Sequence, residues 1–101
     1  METVVLEKTD VKSTFRKTIK VLMFDDDSTY IGFVVEVLQI VFGKTFEEAN
    51  LIAKSIDKAG KGGYKVVAEY TSRSIANSKV AKAMKMARQQ GYNEFEVKTL
   101  D

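Results

Sequence analysis

Three consecutive carboxylates, Asp25-Asp26-Asp27, precede the hydroxyls of Ser28 and Thr29 and lie between two apolar segments. Adjacent like charges repel one another and gain nothing from burial. A cluster held there is suited to meeting a cation, either a metal ion or an ammonium group. A polar strand-to-helix turn in which one residue caps the helix would place the same side chains in the same order. Spacing leaves both readings open.

The rest of the composition narrows the chemistry. The 101 residues contain no cysteine and no histidine. That excludes disulfides, a thiol nucleophile and cysteine-ligated zinc, and removes the commonest general base and transition-metal ligand. A Ser-His-Asp arrangement cannot be assembled. Carboxylate-only chemistry such as a magnesium site stays available, but the exclusions point away from an enzyme, with no catalytic residue and no cofactor. A net charge of +2 is too weak to argue for nucleic acid. No apolar run approaches the ~20 residues that span a bilayer. Residues 1–18 carry Glu2, Glu7 and Asp10 and lack a signal-peptide core. A cytoplasmic protein with neither membrane nor nucleic acid as partner is expected.

The elements that must position the carboxylates follow from periodicity. The proportions, 45% hydrophobic and 30% charged, fit one small globular domain. Residues 1–18 show no clean period and read as a mobile arm whose Val4-Val5-Leu6 could pair locally or dock on a partner, with the domain proper over residues 19–101. Residues 19–24 form a continuous apolar-rich run with β-branched residues, which fits a strand buried on both faces. Ile31, Val34, Val35, Leu38, Val41 and Phe42 fall on one helical face, with Phe33, Val37 and Ile40 off it. Such a helix is apolar nearly all round and is either sandwiched in the core or lines a pocket, core being favoured. Gly43 ends it.

Thr45 and Glu48 form a capping box that opens a second helix, packing through Phe46, Ala49, Ile52, Ala53 and Ile56. Gly60-Lys61-Gly62-Gly63 lacks P-loop spacing and reads as a flexible turn. Residues 64–71 are a second strand. Ser72 or Ser74 caps a third helix through Gln90, with Ile75, Ala76, Val80, Ala83, Met84 and Ala87 inward, and Gly91 ends it. Phe95, Val97 and Thr99 alternate with charged residues in a last strand. Lys79, Lys82, Lys85 and Arg88 lie on the outer side of the third helix, either a docking face for an acidic partner or a solvated face whose charges complement the helix dipole.

Val21-Leu22-Met23-Phe24-Asp25-Asp26 is similar to the first strand and acid pair of bacterial receiver domains. That fold needs about five alternating strand–helix units and an aspartate ending a later strand, and this chain has neither. The resemblance that covers the chain is to the Clp protease adaptor family, ClpS. It begins at Lys20-Val21-Leu22, runs through the three aspartates and Thr29, and is closest at Phe33-Val34-Val35-Glu36-Val37-Leu38-Gln39 and Val41-Phe42-Gly43-Lys44. It resumes at Glu47-Glu48-Ala49, Gly60-Lys61 and Thr71, and closes with Ile75-Ala76, Ser78-Lys79-Val80-Ala81 and Ala87-Arg88.

The resemblance implies an α+β domain, a three-stranded antiparallel sheet packed against three helices in the order β-α-α-β-α-β. It implies a non-enzymatic adaptor that binds proteins beginning with a large hydrophobic residue (an N-degron) and hands them to the AAA+ unfoldase ClpA or ClpC. In the family an Asn-Asp-Asp turn and a histidine hold the α-amino group beside an apolar pocket. Carried over, Asp26, Asp27 and Thr29 match. Asp25 replaces the asparagine, Asp57 the histidine and Ile31 a gating methionine, while Ala53 stands where a larger residue is common. The implied amine site is Asp25, Asp26, Asp27, Thr29 and Asp57, and the side-chain pocket Ile31, Val34, Ala53 and Ile56, widened at Ala53. Up to four carboxylates then share the site, so some should have raised pKa values. Unfoldase docking maps to Arg73, Lys79 and Lys82, where acids usual in the family have given way to Arg73 or Ser74 and Asn77.

Two other readings follow. The chain could be a regulatory module that keeps the fold and the unfoldase contact without N-degron recognition. Alternatively, Asp25, Asp27 and Asp57 could be oxygen ligands of magnesium or calcium.

Overall fold

The structure, a computed structural model, describes residues 17–101. The expected arm, with Val4-Val5-Leu6, lies outside the described residues except for Lys17 and Thr18. Strand β1 (Ile19–Phe24) is the middle strand of a three-stranded sheet, flanked by β2 (Tyr64–Tyr70) and β3 (Val97–Leu100), both antiparallel to it. Its run of apolar side chains is explained by that position: Val21 and Met23 face one side, Leu22 the other, and all three are buried. Val21 pairs with Ala68 but Leu22 with Val66, so Val67 is an extra residue in β2, a bulge whose side chain is buried.

Helix α1 (Ile31–Ile40) stops before the expected Phe42, and the chain turns at Val41-Phe42 into Gly43, whose φ of +68° suits glycine. Of the periodic stripe, Val35, Leu38, Val41 and Phe42 are buried, while Ile31 is 42% exposed and Val34 half-buried; Phe33 and Val37, off the stripe, are buried as well. A helix apolar all round does not determine which face turns inward. Here the Phe33 ring meets Phe95 edge-on at 5.5 Å and Tyr92 at 4.8 Å, which fixes the rotation.

Helix α2 (Phe46–Ala59) begins at the expected capping box: Glu48 N donates to Thr45 Oγ1 and Thr45 N donates to Glu48 Oε1. Ala49, Ala53 and Ile56 are buried, but Phe46 is 63% exposed rather than inward. Helix α3 (Arg73–Gln89) is capped by Ser72, which accepts from Ile75 N, and Ala76, Ala83 and Ala87 are its buried residues. Ile75 is half exposed, another departure from the expected face. Phe95 is buried just ahead of β3 rather than within it. The order β-α-α-β-α-β and the α+β class agree with the sequence reading. No described helix is long and apolar enough to cross a membrane.

Candidate functional site

Strand β1 delivers its carboxylates at the edge where α1 and α2 meet. Asp25 is held by the glycine turn: its N–H donates to Gly63 O at 2.9 Å, and Gly62 N donates to Asp25 O at 3.5 Å. A Cβ on Gly63 would press into the Cβ and carbonyl of Ala59, so only glycine lets this turn close against α2. The segment read from sequence as a flexible connection is therefore the brace of the first acid.

Asp26 ties the chain reversal. Its Oδ1 accepts from Ser28 N at 2.8 Å and Thr29 N at 2.7 Å, and its Oδ2 accepts from Thr29 Oγ1 at 2.8 Å. The polar-turn reading thus holds for this one residue, although the helix N-cap proper is Tyr30, without a side-chain cap bond. Because the Thr29 hydroxyl donates to Asp26, its oxygen lone pairs are left free as acceptors.

Beside this turn lies a small cavity of about 40 Å³, lined by Phe24, Asp25, Asp26, Thr29, Ile31, Val34, Ala53, Ile56 and Asp57. Eight of the nine expected amine-site and pocket residues thus meet around one space. The exception is Asp27, which is exposed and sits 3.7 Å from Lys61 Nζ in a surface pair of little energetic weight. Phe24 is the wall the sequence reading missed. As the last strand residue it was assigned to the core, yet it is half-buried, against Tyr64 at 5.4 Å. Ala53 is buried at the wall of this cavity.

The electrostatics are unbalanced. Burial pushes the Asp25 carboxyl above the ordinary carboxylate range, and the neighbouring charges of Asp57, Asp26 and Asp27 push it further. Asp57 lies in the last turn of α2, near the negative end of the helix dipole, where a cation is favoured and an acid is not. A cation placed between Asp25 and Asp57 would offset the repulsion that bears on Asp25. Among the described residues no three acids are grouped to hold a metal ion, and Asp27 sits beside Lys61 rather than on the cavity wall.

Arg73, Lys79 and Lys82 all lie on α3 and none lines the cavity. Lys82 is exposed, Lys79 half-buried, and the Arg73 guanidinium pairs with the Asp101 carboxylate.

Comparison with known proteins identifies the family and its fold. Residues 15–97 match the family described as "ATP-dependent Clp protease adaptor protein ClpS". The chain is 38% identical to the ATP-dependent Clp protease adapter protein ClpS of Desulforapulum autotrophicum over 84% of this chain and 78% of the relative. It is 40% identical to that of Acetivibrio thermocellus over 90% of this chain and 88% of the relative. The solved structure of Agrobacterium tumefaciens ClpS2 bound to L-phenylalaninamide superposes with a TM-score of 0.74 at 26% identity, over 84% of this chain and 96% of that one. These relatives are adapter proteins, not enzymes. The described fold, the family match along most of the chain and these relatives lead to one conclusion: this chain belongs to the ClpS family of Clp protease adaptors.

Proposed function

We propose that the protein binds the free N-terminal residue of substrate proteins and delivers them to a Clp ATPase, ClpA or ClpC, in the cytoplasm. The observation that carries this reading is the cavity itself, carboxylates on one wall and aliphatic side chains on the others. An α-ammonium offers three donors and a positive charge to Asp25, Asp57 and the free lone pairs of Thr29 Oγ1. Its carbon also bears a side chain, which can enter the space between Ile31, Val34, Ala53 and Ile56. A lysine ammonium has no branch at its carbon, and an acetylated terminus has lost the charge and two of the three donors. The ClpS2 relative is bound to L-phenylalaninamide, a free amine beside an apolar side chain, and the same chemistry suits this cavity.

Delivery requires a contact with the unfoldase. Lys79 and Lys82 on α3 are the charges proposed for it, with Arg73 available once it leaves Asp101. The test is degradation, by the Clp ATPase and its peptidase, of a stable reporter beginning with leucine. Addition of this protein should accelerate loss of that reporter and leave an acetylated one untouched. Equal rates with and without it would reject the delivery role.

One observation favours a second reading, a regulatory module that occupies the unfoldase without recognising N-degrons. A cavity of about 40 Å³ is smaller than the 150 Å³ cavity that admits benzene, so a leucine or aromatic side chain enters only if a wall moves. Ile31, 42% exposed, is the wall with freedom to do so. Retention by the immobilised unfoldase, with no binding of any free-amine peptide, would favour that reading.

A further inference from the structure

A second depression lies between α1 and α2, an open groove of about 420 Å³ walled by Tyr30, Ile31, Val35, Glu36, Phe46 and Lys54. We propose that this groove receives the second and third residues of the bound N-terminal segment and selects uncharged, apolar side chains there. The inference rests on the amine-site reading above and extends it from the first residue to the next two.

Continuity is the first argument. Ile31 lines both the cavity and the groove, so the two are separated by one side chain. A chain whose first residue occupies the cavity advances about 3.5 Å per extended residue, and two residues span about 7 Å, enough to cross Ile31 onto the groove. The second argument is the surface itself. Tyr30 is 67% exposed, Phe46 63% and Ile31 42%, three large apolar side chains gathered around one depression. Scattered exposed apolar residues are ordinary, but a grouped set rimming a groove marks a binding surface.

The positions of both aromatic walls follow from the backbone beside them. The Tyr30 ring lies over Gly32, where any Cβ would overlap it, so this glycine makes the seat of the ring. Phe46 is the first residue of α2, held in place by the capping box of Thr45 and Glu48. The charge of the groove also has a consequence. Its one acid, Glu36, and one base, Lys54, leave it without net charge, while the neighbouring Asp25 and Asp57 repel an acidic second residue. Neutral, apolar residues meet no such penalty.

The experiment is calorimetry with two free-amine peptides that share a leucine at the first position. One continues Phe-Leu and the other Gly-Gly. The Phe-Leu peptide should bind about five- to tenfold more tightly, and Tyr30→Ala and Phe46→Ala should each remove most of that difference while leaving the Gly-Gly peptide within about twofold. Both sites are exposed, so the variants are expected to fold, which thermal melts verify. Equal affinity for the two peptides overturns the groove assignment and leaves the amine-site reading intact. Binding of neither peptide overturns both. If the two variants leave peptide binding unchanged and weaken binding to the amino-terminal domain of the Clp ATPase instead, the groove is an unfoldase contact and the proposal is wrong.

Discussion

Ala53→Leu separates the side-chain pocket from the amine site. Ala53 is buried at the wall of a cavity of about 40 Å³. Leucine adds three carbons, each taking roughly the space of one water, about 30 Å³, so about 90 Å³ must be found where about 40 Å³ exists. The new side chain fills the cavity and displaces whatever apolar group would enter it. Burying a leucine side chain contributes about 1.5–3 kcal/mol, and each 1.4 kcal/mol is a factor of ten in affinity. A peptide beginning with leucine should therefore bind Ala53→Leu roughly 10- to 150-fold more weakly. A peptide beginning with glycine presents the ammonium without a side chain and should bind both proteins equally. Ala53→Val, adding about 60 Å³, should fall between. Calorimetry with the two peptides measures the effect. Overpacking costs about 1–3 kcal/mol, partly offset by the apolar area gained, so a thermal melt checks that the variant stays folded. Leucine-peptide affinity within about threefold of the parent, in a folded variant, would show that this cavity is not the side-chain pocket.

The other predictions concern the acids and their brace. The Asp25 pKa lies above its unfolded value, so the ionised carboxylate costs the folded state stability as pH rises through the folded pKa, and nothing below the unfolded value near 3.8. Asp25→Asn should accordingly be more stable than the parent at pH 7, with the gap closing toward pH 3.8; denaturant titrations giving a less stable variant at pH 7 would refute the cause assigned. In the parent, amine affinity should rise with pH as Asp25 ionises, then fall above about pH 8 as the amine loses its proton; a flat profile would contradict that pairing. Asp26→Ala removes three hydrogen bonds that hold the turn and should cost about 1–3 kcal/mol, at about 4–8 °C in melting temperature per kcal/mol. Gly63→Ala should both destabilise the protein and weaken amine binding, because its Cβ meets the Ala59 backbone and moves the carbonyl that holds Asp25.

Local patterns in the sequence account for the frame. An apolar-rich run becomes the middle strand, with both edges paired and Val21, Leu22 and Met23 buried. Thr45 and Glu48 start α2 through bonds confined to four residues. The face of α1 is legible only in part: Val35, Leu38, Val41 and Phe42 are buried as the stripe predicts, but its apolar residues circle the helix, and the burial of Phe33 depends on Phe95 and Tyr92 arriving from far along the chain. The consequence reaches the site: Ile31 and Val34 fall on the apolar stripe that periodicity assigns to the core, yet they line the cavity, the place the family resemblance implies for them.

The carboxylates were harder still. Three identical neighbours carry three different placements, Asp25 against the glycine turn, Asp26 inside the reversal and Asp27 beside Lys61 in solvent. Nothing in a run of like residues says which one the turn will use. The brace at Gly63 was invisible for a similar reason, because its partner in sequence is thirty-eight residues away and only the pairing of β1 with β2 brings them together.

The account rests on the claim that a free α-ammonium is held between Asp25 and Asp57 while its side chain enters the adjoining cavity. Calorimetry at pH 7 with one leucine-initiated peptide, free or acetylated at its amine, tests both halves together. The free peptide should bind, and acetylation, by removing the charge and two of its three donors, should weaken binding by at least roughly 30-fold, as loss of a charge-assisted hydrogen bond of about 2 kcal/mol implies. Equal binding of the two forms, or no binding of the free one, would contradict it.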